Sequence, residues 1–112
     1  MNEIWNHEYE SMSRGELREL QFKRLQMTLR WVYENVPFHR ERWVAMKLKP
    51  ADFRTLDDLS KLPFTVRGDF KAAYPYCLFA LPLEKVIRIH ASSGTMSNTT
   101  VVGYSRGDLS TW

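Results

Sequence analysis

Proline divides this chain unevenly, and that division limits what it can fold into. No proline precedes Pro37, whereas Pro50, Pro63, Pro75 and Pro82 punctuate the stretch that follows. Proline lacks a backbone N–H and disfavours helix in the residue before it. A long helix is therefore expected only ahead of Pro37, and short elements joined by turns after it.

Ser13-Arg14-Gly15-Glu16 has the form of a capping box, in which the serine oxygen and the glutamate carboxylate each satisfy a backbone N–H that the first helical turn leaves unpaired. Phe22, Leu25, Leu29, Val32 and Val36 recur at alternating spacings of three and four, which makes one apolar stripe and leaves Arg18, Lys23, Arg24 and Arg30 to face water. Pro37 ends this helix. A second helix is predicted from Phe38 to Leu48, and two short ones are predicted to begin with threonine caps at Thr55 and Thr65.

The character changes at Glu84. Val86-Ile87-Arg88-Ile89-His90 and Thr99-Thr100-Val101-Val102-Gly103-Tyr104 have the branched residues and alternation of strands. Ser105 and Asp108 then predict a capped helix running to Trp112. A helix of about two turns is weak alone, and a lone strand pair leaves two unpaired edges, so this third is expected to belong to a larger sheet. The expected fold class is α/β: a mainly helical region over 1–83, then strand, loop, strand and short helix over 84–112, together a single piece of a larger domain.

The 112 residues suffice for one domain or part of one. The net charge of +3 is spread among interleaved acids, as in Arg14-Gly15-Glu16-Leu17-Arg18-Glu19, a pattern of solvated helix faces that argues against a nucleic-acid partner. No apolar run approaches the roughly 20 residues of a bilayer-spanning helix, so no membrane partner is expected and the cytoplasm is the expected location. Cys77, the single cysteine, has apolar neighbours and is expected to be buried and inert.

The stretch His90-Ala91-Ser92-Ser93-Gly94-Thr95-Met96-Ser97-Asn98-Thr99-Thr100, which follows the first predicted strand, is where chemistry concentrates. Glycine allows close backbone approach, and hydroxyls donate to phosphate oxygens. It is not a Walker A loop, which ends in Gly-Lys-Ser/Thr and opens a helix. On composition alone, such a loop is read as an ordinary connection. His90 lacks a paired carboxylate and is expected to be structural; His7 and His39 are expected to face solvent. Asp57-Asp58, just after Thr55, suits helix-end electrostatics. The aromatics lack an accompanying basic groove and are expected to serve core and subunit packing.

Arg88-Ile89-His90-Ala91-Ser92-Ser93-Gly94-Thr95, with Thr100 to Tyr104 and Arg106-Gly107-Asp108-Leu109, closely resembles the phosphate-loop region of phenylacetate-CoA ligases, where the loop reads S-S-G-T-T-G-K-P-T. Ser13 to Gln21, Tyr33 to Phe38, Leu56 to Leu59, Leu62 to Thr65 and Tyr74 to Ala80 resemble the amino-terminal region of that family in order and spacing. The resemblance implies an enzyme of the AMP-forming type that activates an aryl acid such as phenylacetate with ATP and Mg2+ and passes the acyl group to coenzyme A. It implies that Ser92, Ser93, Gly94, Thr95 and Thr100 line the site for the β- and γ-phosphates. It assigns no catalytic residue and no metal ligand within this chain. Met96, Ser97, Asn98 and Thr99 replace the family's Thr, Gly, Lys and Pro, which removes a mobile positive charge from the loop. The adenine and acyl pockets are expected beyond Trp112, so the chain alone is expected to be inactive. The alternative reading is a non-catalytic helical module that self-associates, and a homo-oligomer is expected on either reading.

Overall fold

The computed structural model describes residues 3–92 and 99–112. After a single turn, α1 (His7–Glu10), the chain enters α2 (Arg14–Asn35), its longest element. The capping box forms as expected: Ser13 Oγ accepts the Glu16 N–H at 3.3 Å, and Glu16 Oε2 accepts the Ser13 N–H at 2.9 Å. Hydrogen bonding by the Ser13 side chain and then by its backbone N–H holds the Glu16 carboxyl below its ordinary pKa. Leu29 and Val36 on the apolar stripe are buried, with Phe22, Leu25 and Val32 half-buried; Arg18, Lys23, Arg24 and Arg30 are exposed.

Pro37 stops α2 and becomes the first residue of α3 (Pro37–Ala45), the helical position where a missing N–H costs least. Arg40 reaches back, and its Nη1 donates to the carbonyls of Tyr33 at 3.2 Å and Glu34 at 3.1 Å. The two helices are thus tied by a cation on the last carbonyls of α2.

The second helix stops three residues short of the expected Leu48. Lys47 adopts φ 57°, its N–H donates to Val44 O at 2.9 Å, and the Leu48 N–H donates to Trp43 O at 2.8 Å. These are the two bonds of a Schellman stop. It brings Leu48 against the cluster that Trp43 centres: Leu29, Trp43 and Phe53 are buried together, and Leu25, Val32, Tyr33, Leu48 and Leu62 pack around them. Tyr33 stacks on Trp43 with ring centroids 6.1 Å apart.

Short turns follow, as the prolines predict: 3-10 turns at Pro50–Asp52 and Leu56–Lys61, then α4 (Arg67–Ala72) and a 3-10 turn at Leu83–Lys85. Thr55 is the cap residue of the Leu56–Lys61 turn, as expected, but its hydroxyl accepts no N–H, and Thr65 is not a cap residue. At Thr55 the acceptor is Asp58 Oδ2, which takes the Arg54 N–H at 2.7 Å and the Thr55 N–H at 2.9 Å. At α4 the helix starts one residue later than expected, with Val66 as its cap residue and Asp69 Oδ2 accepting the Val66 N–H at 2.8 Å. In both turns the N–H that a cap hydroxyl would accept goes instead to the carbonyl of the cap residue, Asp58 N–H to Thr55 O at 3.2 Å and Asp69 N–H to Val66 O at 2.9 Å. Asp69 also receives Arg42 Nη1 at 3.0 Å, while Arg42 Nη2 donates to Phe64 O at 3.2 Å. Arg42 therefore fastens α4 to α3, and the Asp69 carboxyl lies below its ordinary pKa, first because of the Val66 N–H and then because of Arg42.

His39, expected at the surface, is half-buried, with Phe38 and Trp43 rings at 5.4 and 6.2 Å. Its place on the inner side of α3 depends on the helix phase, which its charged neighbours in sequence obscure. Burial and then the Arg42 charge push its pKa down, only partly offset by Asp69.

The strands are shorter than expected: β1 (Arg88–Ala91) and β2 (Val101–Tyr104) form an antiparallel pair in which Arg88 faces Tyr104 and Ala91 faces Val101. All four β1 residues are exposed, so the alternation in sequence does not yield a covered face here. The Ser105 cap of α5 (Arg106–Thr111) forms as expected, with Ser105 Oγ accepting the Asp108 N–H at 3.1 Å and Asp108 Oδ2 accepting the Ser105 N–H at 2.8 Å.

Trp43→Ala is expected to cost about 3–5 kcal/mol in denaturant unfolding, since it removes the centre of the core. Lys47→Gly is expected to add up to about 1 kcal/mol by relieving the positive φ. Because the pKa of His39 is depressed on folding, the unfolded chain takes up that proton more readily. The His39 contribution is complete above its ordinary pKa near 6.5 and is lost as pH falls below it. Chemical denaturation from pH 8 to pH 5 should show a shallower loss for His39→Gln than for the parent.

Candidate functional site

The strand pair forms the neck of the hydroxyl-rich loop. Beyond the Ala91 and Val101 pair, the Ser92 N–H donates to Thr100 O at 3.0 Å, and the Thr100 N–H donates to Ser92 Oγ at 3.1 Å. Ser92 closes the neck through both its backbone and its side chain, and among the described residues its hydroxyl proton has no acceptor. Of the five residues singled out by sequence, Ser92 and Thr100 are thus in contact. Ser93, Gly94 and Thr95 lie outside the described residues, as do Met96, Ser97 and Asn98.

One face of the neck carries aromatic rings. His90 meets Tyr104 edge-on at 4.9 Å and Trp112 at 5.9 Å, while Tyr104 and Trp112 stack at 5.5 Å. His90 therefore packs among rings, in keeping with a structural role. The order of residues gives no sign of this cluster, because Trp112 reaches Tyr104 only when α5 folds back on β2. Trp112 still leaves 76% of its surface exposed.

The other face bears on Phe79. A Cβ on Gly103 would lie 2.6 Å from Phe79 Cε2 and 2.8 Å from Cζ, so the ring occupies the space a side chain would need. Phe79 also borders a cleft of about 500 Å3, into which Trp31 of α2, Phe70 of α4 and Val101 of β2 contribute apolar surface. Ser105 and Asp108 at its edge already bond to each other's backbone. The lone signal in sequence was a glycine inside a branched strand.

Cys77 is exposed rather than buried. Its N–H is held by Ala73 O at 3.0 Å in a surface turn, and its neighbours Leu78 and Phe79 are the residues that turn inward. A tight turn cannot direct every member of an apolar run into the core. Among the described residues, no group of three His, Cys, Asp or Glu could hold a metal ion, and no helix is long and apolar enough to cross a membrane.

Two crystal structures of 2-hydroxyisobutyryl-CoA ligase share this arrangement of elements. The ligase in the postadenylation state in complex with 2-HIB-AMP matches with a TM-score of 0.76 and 24% identity, over 87% of this chain and 21% of that one. The ligase in complex with 2-HIB-AMP and CoA, in the thioesterification state, matches with a TM-score of 0.77 and 26% identity, over 87% and 22%. The fold is that of the amino-terminal region of an adenylate-forming CoA ligase. By sequence the chain is homologous to the amino-terminal part of phenylacetate-CoA ligases. It is 50% identical over 103 residues to phenylacetate-coenzyme A ligase of Aromatoleum evansii, covering 92% of this chain and 23% of that protein. To the Escherichia coli K12 protein of the same name it is 48% identical over 103 residues, covering 92% and 24%, and to that of Thermus thermophilus 45% identical over 106 residues, covering 95% and 24%. The chain thus spans about a quarter of the length of these relatives. No family model matches it.

Gly103→Ala is expected to push the Phe79 ring aside and to cost about 1–3 kcal/mol in thermal or denaturant unfolding. Combined with Phe79→Leu, which withdraws the ring, the same change should cost measurably less than the sum of the two single variants.

Proposed function

We propose that this chain forms the amino-terminal part of an AMP-forming aryl-acid CoA ligase whose substrate is phenylacetate or a close aryl relative. The observation that carries this reading is the 45–50% identity to phenylacetate-CoA ligases across 92–95% of the chain. In the complete enzyme the aryl carboxylate would be activated by ATP and the acyl group then passed to coenzyme A, in the cytoplasm. The three quarters of the relatives that this chain does not span would supply the rest of the site.

The loop from Ser92 to Thr100 would hold the nucleotide phosphates. Its donors suit that role: Ser92, Ser93, Thr95 and Thr100 offer hydroxyls, Gly94 allows close backbone approach, and the loop contains no carboxylate. The antiparallel neck at Ser92 and Thr100 supports the reading by setting both loop ends on paired backbone. Donors fixed in place spare reorganisation when charge develops on the departing pyrophosphate. Mg2+ would ride on those phosphates with its own waters, since the described residues offer no cluster to bind it.

A direct test is calorimetric titration of the chain with MgATP beside a variant carrying Met96→Thr, Ser97→Gly, Asn98→Lys and Thr99→Pro. The restored loop is expected to bind more tightly. Joined to the remaining three quarters of the Escherichia coli relative, the chain should form phenylacetyl-CoA, with Ser93→Ala lowering turnover about 10- to 100-fold through loss of a charge-assisted hydrogen bond. Undiminished turnover in Ser93→Ala would remove the loop from phosphate binding, and absence of the thioester product would remove the ligase reading.

The cleft beside Phe79 favours a second reading, in which the isolated chain self-associates through this apolar surface. Sedimentation velocity across a concentration series should then show a dimer that Val101→Lys dissolves; a monomer at every concentration would exclude it.

A further inference from the structure

A second hollow lies where α3 gives way to the two 3-10 turns. It encloses about 480 Å3 and is lined by Lys47, Leu48, Asp52, Arg54, Asp58 and Lys61, five of the six being charged. Its two carboxylates are largely committed to the scaffold. Asp58 takes the Arg54 and Thr55 N–H groups through Oδ2 and Lys61 Nζ at 2.8 Å through Oδ1, and these bonds, Lys61 foremost, hold its carboxyl far below the ordinary range. Asp52 accepts the Lys49 N–H at 2.9 Å through Oδ2, and Oδ1 has no donor among the described residues. Lys61 Nζ also reaches Asp52 O at 3.4 Å, which ties the two turns together.

The cations are less committed. Among the described residues neither Lys47 nor Arg54 has a carboxylate within ion-pair distance, and the hollow therefore carries a surplus of positive charge. Lys47 is also the non-glycine residue at positive φ, in a turn position that glycine fills at lower cost. The stop of α3 thus fixes the Lys47 backbone at the edge of a cationic hollow.

We propose that this hollow binds a phosphate group, either free or carried as a monoester on a larger molecule, with Lys47 and Arg54 contacting its oxygens. The unfilled Asp52 Oδ1 would accept the P–OH of a singly protonated phosphate, so the site should prefer phosphate over sulfate, which carries no such proton at neutral pH. Arg54 is well placed for the task because Asp58 pins its backbone N–H at 2.7 Å, and a guanidinium on a fixed backbone loses less freedom on binding.

The test is titration of the full chain with inorganic phosphate, glycerol phosphate and sulfate at constant ionic strength, followed by backbone amide shifts in NMR. Saturable shifts are expected at Lys47, Arg54 and Lys61, with weaker binding of sulfate. Lys47→Gly should weaken phosphate binding about tenfold while raising the unfolding midpoint, and Arg54→Gln should weaken it by a similar factor. Lys71→Gln, remote on α4, should bind as the parent does. Tighter binding of glycerol phosphate than of inorganic phosphate would assign the site to a carried phosphate, and the reverse order to the free anion. Parent-like affinity in both Lys47→Gly and Arg54→Gln, or sulfate binding as tightly as phosphate, would overturn the proposal. These readouts are independent of the loop and of ligase activity.

Discussion

The burial of Trp43 is the contact on which the helical part of this protein depends. Its indole, 4% exposed, meets Leu29 from α2 and Phe53 from beyond the 3-10 turn at Pro50–Asp52, with Tyr33 stacked alongside. It also lies at the end of α3, where its carbonyl receives the Leu48 N–H and turns the chain back toward the same core. One residue thus joins the apolar stripe of α2, the stop of α3 and the irregular stretch that follows. The angle at Val36 and Pro37 serves this contact, because it folds α3 against the carboxyl-terminal end of α2, where Arg40 completes the unpaired carbonyls.

Only Leu29, Val36, Trp43, Phe53 and Ala73 are buried among the described residues, so local polar bonds define much of the rest. The same device recurs at Ser13 and Glu16, Lys49 and Asp52, Thr55 and Asp58, Val66 and Asp69, and Ser105 and Asp108: a carboxylate three residues into a turn accepts the N–H of the residue before it. The charge suits the positive end of a short helix, where N–H groups otherwise lack partners. One of these carboxylates also holds tertiary structure together, since Asp69 receives Arg42, while Lys61, paired locally with Asp58, reaches Asp52 O in the preceding turn. Short helices that would be marginal alone are thereby fixed to α3 and to one another.

The carboxyl-terminal third depends on different physics. Its strand pair is held by backbone bonds, by the Phe79 ring on Gly103 and by the stack of Tyr104 and Trp112. Much of its apolar surface stays uncovered, as Ile87 and Ile89 at 47% exposure and the cleft beside Phe79 illustrate. The relatives that share the fold are about four times as long, this chain spanning 21–24% of them. The neck at Ser92 and Thr100 is therefore well formed on a sheet that remains open on both sides.

Features governed by neighbours in sequence are legible in the order of residues alone. The Ser13 capping box, the stripe on α2, the break at Pro37 and the Ser105 cap each depend on residues a few positions apart, and the two strands are marked by their own alternation. Features governed by helix phase and by folding back are not legible there. His39 has the sequence surroundings of a solvent-facing residue, yet α3 rotates it toward Trp43; Cys77 has those of a buried one, yet the turn directs Leu78 and Phe79 inward instead. Thr55 and Thr65 have the form of caps, but in the folded turns the N–H groups that a cap hydroxyl would accept are taken by the carbonyls of Thr55 and Val66. Lys47 has no mark in the sequence, because its positive φ is imposed by the contact between Leu48 and the core. Local hydrogen bonding and periodicity are short-range and are written into the order of residues, whereas burial and long-range pairing exist only when distant segments meet, and for this chain that meeting is centred on Trp43.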